Sequence, residues 1–211
     1  RFANVSQAHL SAVEAGRRRA GLSTLTAISA ALGGALRVQI DPQTGPSIRD
    51  HIQARMLEAL LRILDSRWTP SLEVPVHRPV RGVIDLVLHD VDAGLMVATE
   101  SESTLRRIEQ QIRWAHEKAS ALVPSGSLPI LPGMAPHVSS LLLLRSTRST
   151  RELARRFGNL LDAAYPGRSD DAFAALTHAG SPWPGSSIVW VAVNGSSVRI
   201  LDRTPAGIDH G

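Results

Sequence analysis

Residues 80–103 read VRGVIDLVLHDVDAGLMVATESES. Val80 to His89 is a strongly apolar run interrupted by Asp85, the pattern of a strand in a sheet core. Asp90 to Gly94 supplies a turn, and Leu95 to Glu100 reads as the next strand. Strand side chains alternate, so Glu100 and Glu102 fall on one face if the strand persists through them. An unpaired carboxylate at Asp85 is costly to bury among Val, Ile and Leu. The sequence therefore calls for a compensating metal ion, an arginine, or a strand end open to water.

Working outward, Ile48 to Trp68 has the stripe Ile52, Met56, Ala59, Leu60 and Ile63 of an amphipathic helix, and Leu72 to His77 alternates like a strand. After Glu102, a helix is expected over Ser103 to Leu122, with Leu105, Ile108, Ile112, Ala115, Ala119 and Leu122 inward. A loop over Pro124 to Pro136, a strand over Val138 to Arg145, and helices over Thr150–Ala164 and Asp170–His178 follow. Ser187–Val193 and Val198–Asp202 form a C-terminal hairpin about Asn194-Gly195. Helix, three strands, helix, strand predicts an α/β domain with a mixed sheet.

The chain has 211 residues, of which 43% are apolar, 20% charged and 4% aromatic, a globular balance with an aliphatic core. Without cysteine, a disulfide scaffold, a thiol nucleophile and a Cys-ligated zinc are excluded. Lys118 is the sole lysine, so the net charge of +4 is carried by arginine, the better bidentate partner of phosphate and guanine. A GC-rich coding sequence produces the same bias. No apolar run reaches the length of a membrane span, and no signal peptide is visible, so a cytoplasmic location is expected.

Residues 5–34 read VSQAHLSAVEAGRRRAGLSTLTAISAALGG. Ser6 is placed to N-cap a short helix ending near Val13 or Glu14, with Gly16 as its stop. A second helix runs from about Ser23 to Leu32, with Leu25, Ile28 and Leu32 on one face, and ends at Gly33-Gly34. Val5, Ser6, Gln7, Leu10, Ser11, Glu14, Gly16, Leu25, Ile28, Leu32 and Gly33 fall on the pattern of Xre/Cro-repressor-type helix-turn-helix domains, which this segment resembles over about 35 residues. That resemblance implies a partial, all-α DNA-binding module over residues 1–40, with its first helix and most of its second lying before Arg1. It also implies weak DNA binding by residues 1–211 alone. A linker is expected at 41–47, DPQTGPS, and the α/β domain over 48–211.

In such modules the N-terminal residues of the recognition helix meet the base edges of the major groove. Gln7 can bond adenine twice, Ser11 can bond several bases, and Ala8 and Ala12 can meet thymine methyls. Ser6 starts the helix, while His9, Arg17, Arg18 and Arg19 are candidate phosphate contacts. The rival reading is an amphipathic helix pair with a solvated arginine run.

The order of elements after residue 48 is also that of the PD-(D/E)xK nuclease-like fold, which the second part of the chain resembles through Asp85 and the run from Ala98 to Ser103. The Pro-Trp-Pro-Gly segment at 182–185 is similar to that of predicted actinobacterial Xre-type regulators. The resemblance implies that Asp85 and Glu100 would hold Mg²⁺ in an active member, with Glu102 and Lys118 completing a catalytic set. Glu102, however, stands where active members carry lysine, which removes a cation that stabilises developing phosphorane charge. Lys118 lies on one helical stripe with Gln111 and Trp114 and can return that cation from the helix. Pairing of Asp85 and Glu100 with Arg81, or with an arginine of the 103–122 helix, would instead make the cluster structural.

Other candidates are His77 with His89, on neighbouring expected strands; Trp183 in its rigid turn; and Arg148, Arg151, Arg155 and Arg156 on the 150–164 helix. Nucleotide-binding glycine loops, Gly-x-Ser-x-Gly elbows and His-x-x-x-His spacings do not occur. The reading is a sequence-specific regulator that binds double-stranded DNA as a homodimer, without a cofactor. Its second domain would dimerise or sense without cleaving. The alternatives are a Mg²⁺-dependent nuclease and an antitoxin-like protein with an unidentified protein partner.

Overall fold

The computed structural model describes residues 6–15, 17–18, 20–34, 36, 48–128 and 136–208. The chain divides into two compact units, Arg1–Gly45 and Pro46–Gly211. In the first, α1 (Gln7–Glu14) starts at Ser6, whose hydroxyl accepts the His9 N–H at 3.3 Å, and α2 (Leu22–Ala31) follows. Gly33 leaves α2 with φ of +75°, a conformation natural to glycine. Leu25 and Ile28 are half-buried, but Leu32 is 82% exposed and lies past the helix end, off the face expected for it. Gly16, Arg19 and the expected linker at 41–47 lie outside the described residues.

The second unit is an α/β structure on a six-stranded mixed sheet. Its elements are α3 (Ile48–Leu61), β1 (Thr69–Val76), β2 (Gly82–Asp90), β3 (Leu95–Glu102), α4 (Ile108–Ser125) and β4 (His137–Arg145), then α5 (Arg148–Arg156), α6 (Gly158–Ala164), α7 (Ser169–Thr177), β5 (Ser187–Asn194) and β6 (Ser197–Ile200). Strand order follows chain order: β1 to β3 are antiparallel, β3, β4 and β5 are parallel, and β6 returns antiparallel to β5.

Helices cover both faces of the sheet. Met56 and Leu60 of α3 and Ala172 and Leu176 of α7 pack on Leu86, Leu88, Val97, Leu141, Leu143 and Val189. On the opposite face, Ile112 of α4, Ala154 of α5 and Leu161 of α6 meet Leu142, Leu144 and Trp190, while Ala119 and Leu122 of α4 meet Val87, Met96 and Ala98. The run Leu141 to Leu144 is apolar at every position because both faces of β4 are covered.

Three expected helices are revised. The helix over 48–68 stops at Leu61, because Asp65, Arg67 and Trp68 turn to α7: Arg67 Nη2 and Trp68 Nε1 both donate to the Ala175 carbonyl, at 2.6 and 3.0 Å. The helix over 103–122 starts five residues later, at Ile108, since β3 runs on to Glu102 and the chain needs a loop to leave the sheet. The helix over 150–164 is two helices meeting at Phe157, and the first begins at a capping box between Thr147 and Thr150. Among the described residues, no helix is long and apolar enough to cross a membrane.

Candidate functional site

The α1 helix sorts its residues by face. Ser6, Gln7, Ala8 and Ser11 are exposed, while Leu10, Ala12 and Val13 are half-buried. His9 is half-buried as well, and its Nε2 is shut off from solvent without a partner, so it does not stand beside Gln7 as a phosphate contact. Ala12 is likewise withdrawn from the exposed face. Arg17 and Arg18 are exposed; Arg19 lies outside the described residues.

The carboxylates of the second unit gather where β2 parts from β3. The β1–β2 ladder pairs Leu72 with Leu86 and Val74 with Ile84 but skips Glu73, whose φ is +50°, and Asp85. The β2–β3 ladder ends at Leu86 and Thr99. Ile84 belongs to the core under α4 and Leu86 to the core under α3, although residues two apart on a regular strand share a face. The strand therefore turns over at Asp85. Its Oδ2 accepts the Ser101 N–H at 2.8 Å, while Gln53 of α3 donates to the Ser101 carbonyl at 2.7 Å. Two side chains thus serve the β3 backbone where β2 has left it, as buried backbone groups require.

Beyond that point the acidic side chains divide. Asp85 lines a groove of about 550 Å³ with Glu73, Leu72 and Gln53, Leu57 and Leu61 of α3. Glu100 and Glu102 share one face of β3, as alternation predicts, and line a separate cavity of about 80 Å³ under α4, with Gln111, Trp114, Lys118 and Tyr165. Lys118 is a half-buried partner, its Nζ 2.5 Å from Glu100 Oε2 and 2.9 Å from the Val83 carbonyl. Gly82 leaves room for its stem, since a Cβ there would lie 3.0 Å from Lys118 Cδ. Gln111 is tied to the loop before α4, its Oε1 accepting the Arg106 N–H at 3.1 Å.

Burial raises the pKa of Glu100 to about 7; Asp85 and Glu102 push the same way and Lys118 opposes. Burial also takes Glu102 to about 7, against a hydrogen bond from Gln111. Asp85 is raised by burial too, against the Ser101 N–H and Lys118. The Tyr165 phenol is pushed up by burial and then by the two glutamates.

This arrangement bears on the metal site that the nuclease alternative would need at Asp85 and Glu100. Among the described residues, no group of three or more His, Asp or Glu side chains is placed to hold a metal ion. Lys118 takes Glu100 Oε2, and Asp85 lines a different groove from Glu100 and Glu102, so the carboxylates do not gather the several oxygens that Mg²⁺ takes. The arginine alternative is revised as well: the cation paired with Glu100 is Lys118, Arg81 is exposed, and Arg113 pairs with Glu117.

His77 and His89 lie at opposite ends of the β1–β2 pair, where Val76 faces Gly82 and Thr69 faces His89, so they do not meet. Trp183 is anchored, its Nε1 donating to Ser139 Oγ at 2.8 Å and its ring packed edge-on against Trp68. Of the arginines on α5, Arg148 pairs with Glu152, Arg151 donates to Ser146, and Arg156 covers Phe157. Sequence reasoning missed Gln53, Glu73 and Tyr165. Tyr165 carried a signal as the sole tyrosine of the chain, whereas nothing local marks the other two. Comparison with protein-family models, curated proteins and solved structures finds no match.

Proposed function

We propose that the chain is a sequence-specific regulator that reads double-stranded DNA with α1 and does not cut it. The observation that carries this reading is the exposed face Ser6, Gln7, Ala8 and Ser11 at the start of a capped helix, with exposed Arg17 and Arg18 just beyond. The positive end of the helix dipole favours approach to the anionic duplex. Gln7 at the first turn offers an amide oxygen and nitrogen to adenine, Ser11 a hydroxyl one turn on, and Ala8 a methyl surface for thymine. Arg17 and Arg18 supply sequence-independent phosphate contacts. As a homodimer, the protein would span two half-sites roughly 34 Å apart.

The second unit is read as a nuclease-like scaffold that does not cleave. Supporting this are the αβββαβ order, the mixed sheet, and the pairing of Lys118 with Glu100. Asp85 and Gln53 then hold the parted strands, and the domain serves dimerisation or sensing.

Incubating the chain with duplex DNA in Mg²⁺, and separately in Mn²⁺, tests this on paired native and denaturing gels. A duplex retarded only at high protein concentration, with intact strands, is expected. Strand scission that disappears in Asp85→Asn would replace the regulator with a metal-dependent nuclease.

A further inference from the structure

The cavity under α4 has walls of one chemistry and a floor of another. Ile112, Leu142 and Leu161 enclose it, and Trp114, 57% exposed, is part of its lining. Its polar groups are Glu100, Glu102, Lys118, Gln111 and Tyr165. One of these is unfinished. Glu100 Oε1 is buried with no hydrogen-bond partner, although Oε2 of the same carboxylate is taken by Lys118. Tyr165, only 4% exposed, lines the same cavity. Buried polar atoms left without partners cost free energy that a ligand can recover.

The missing partner can be specified. Two carboxylates against one ammonium leave the ionised site one negative charge in excess. A carboxylate oxygen and a phenol oxygen both accept hydrogen bonds. An anionic ligand would add to the excess, and Lys118 already donates to two oxygens. The volume of about 80 Å³ is roughly half that of a cavity that accommodates benzene, about 150 Å³. A primary ammonium on a short aliphatic chain supplies three donors, one positive charge and an apolar tail for Leu142, Leu161 and Trp114.

We propose that the cavity between β3, α4 and Tyr165 is a binding site for a short primary alkylammonium ion, an effector class for the second unit. The inference is independent of DNA reading by α1. The ligand charge is met by Glu100 and Glu102 of β3, with Asp85 of β2 adding attraction, while Lys118 and any protonated His116 of α4 oppose it. Protons compete for the same carboxylates, so binding weakens as pH falls through about 7.

Calorimetric titration of the whole chain at pH 8 with n-propylammonium chloride, n-propanol and sodium propionate tests the proposal. Saturable binding of the ammonium alone is expected, weakened about tenfold in the isosteric Glu102→Gln and again in wild type at pH 6. Circular dichroism on both chains establishes that they are folded. No binding by the folded wild type, equal binding of propanol, or unchanged affinity in Glu102→Gln would overturn it.

Discussion

Asp85 is a carboxylate whose clearest duty is to a backbone N–H. It accepts from Ser101 beyond the last β2–β3 pair, so the group it serves has no strand partner on that side. Asp85→Ala is expected to destabilise the second unit by about 2 kcal/mol, the cost of orphaning a buried donor. Asp85→Asn, which keeps an accepting oxygen, should lose much less. Urea unfolding of the two variants checks this, and equal losses would show that charge at Asp85 matters more than the hydrogen bond.

Glu100 and Glu102 set the pH response. Both are raised from the ordinary 4.5 to about 7, so between those values the folded chain holds protons that the unfolded chain has released. Their contribution is present at low pH and lost as pH rises, so stability from these groups falls between about pH 4.5 and 7. The midpoint in urea should be higher at pH 5.5 than at pH 8, with a smaller difference in Glu102→Gln. A midpoint that rises over that interval would mean the carboxylates are better paired than their burial implies.

At the scale of elements, the proposed reading gives α1 two kinds of DNA contact. The double variant Arg17→Ala, Arg18→Ala should weaken binding to all duplexes alike and reduce the salt slope of log K by about 2. Anisotropy titrations at several salt concentrations measure it, and a slope that stays unchanged removes both arginines from the interface. The start of this helix was legible in the sequence because an N-cap is a local device: Ser6 needs only the next turn to act. The alternation that put Glu100 and Glu102 on one face was legible for the same reason. The start of α4 was not, since Ser103 looks like a cap but follows a strand still paired to β4 at Glu102. The break at Phe157 is marked in the sequence by Gly158 alone, the first residue of α6. The meeting of Lys118 with Glu100 depends on how the β3–α4 crossover returns over the sheet, which no window of neighbouring residues encodes.

For the whole molecule, the α/β class followed from the order of elements and from the doubly apolar run at Leu141–Leu144, because a parallel crossover demands covered faces. The division of the carboxylates between a groove under α3 and a cavity under α4 did not follow. It arises from the strand turning over at Asp85, and the same turn leaves Lys118 to neutralise Glu100 from within. On the proposed reading the second unit would hold or sense, and α1 would meet DNA. Selection of duplexes from a random-sequence pool by the wild-type chain and by Gln7→Ala tests that claim most directly, because it reads preference whatever the affinity. Wild type is expected to enrich a motif containing adenine, and the variant to lose preference at that base. Identical motifs from both chains, or no enrichment by either, would contradict it.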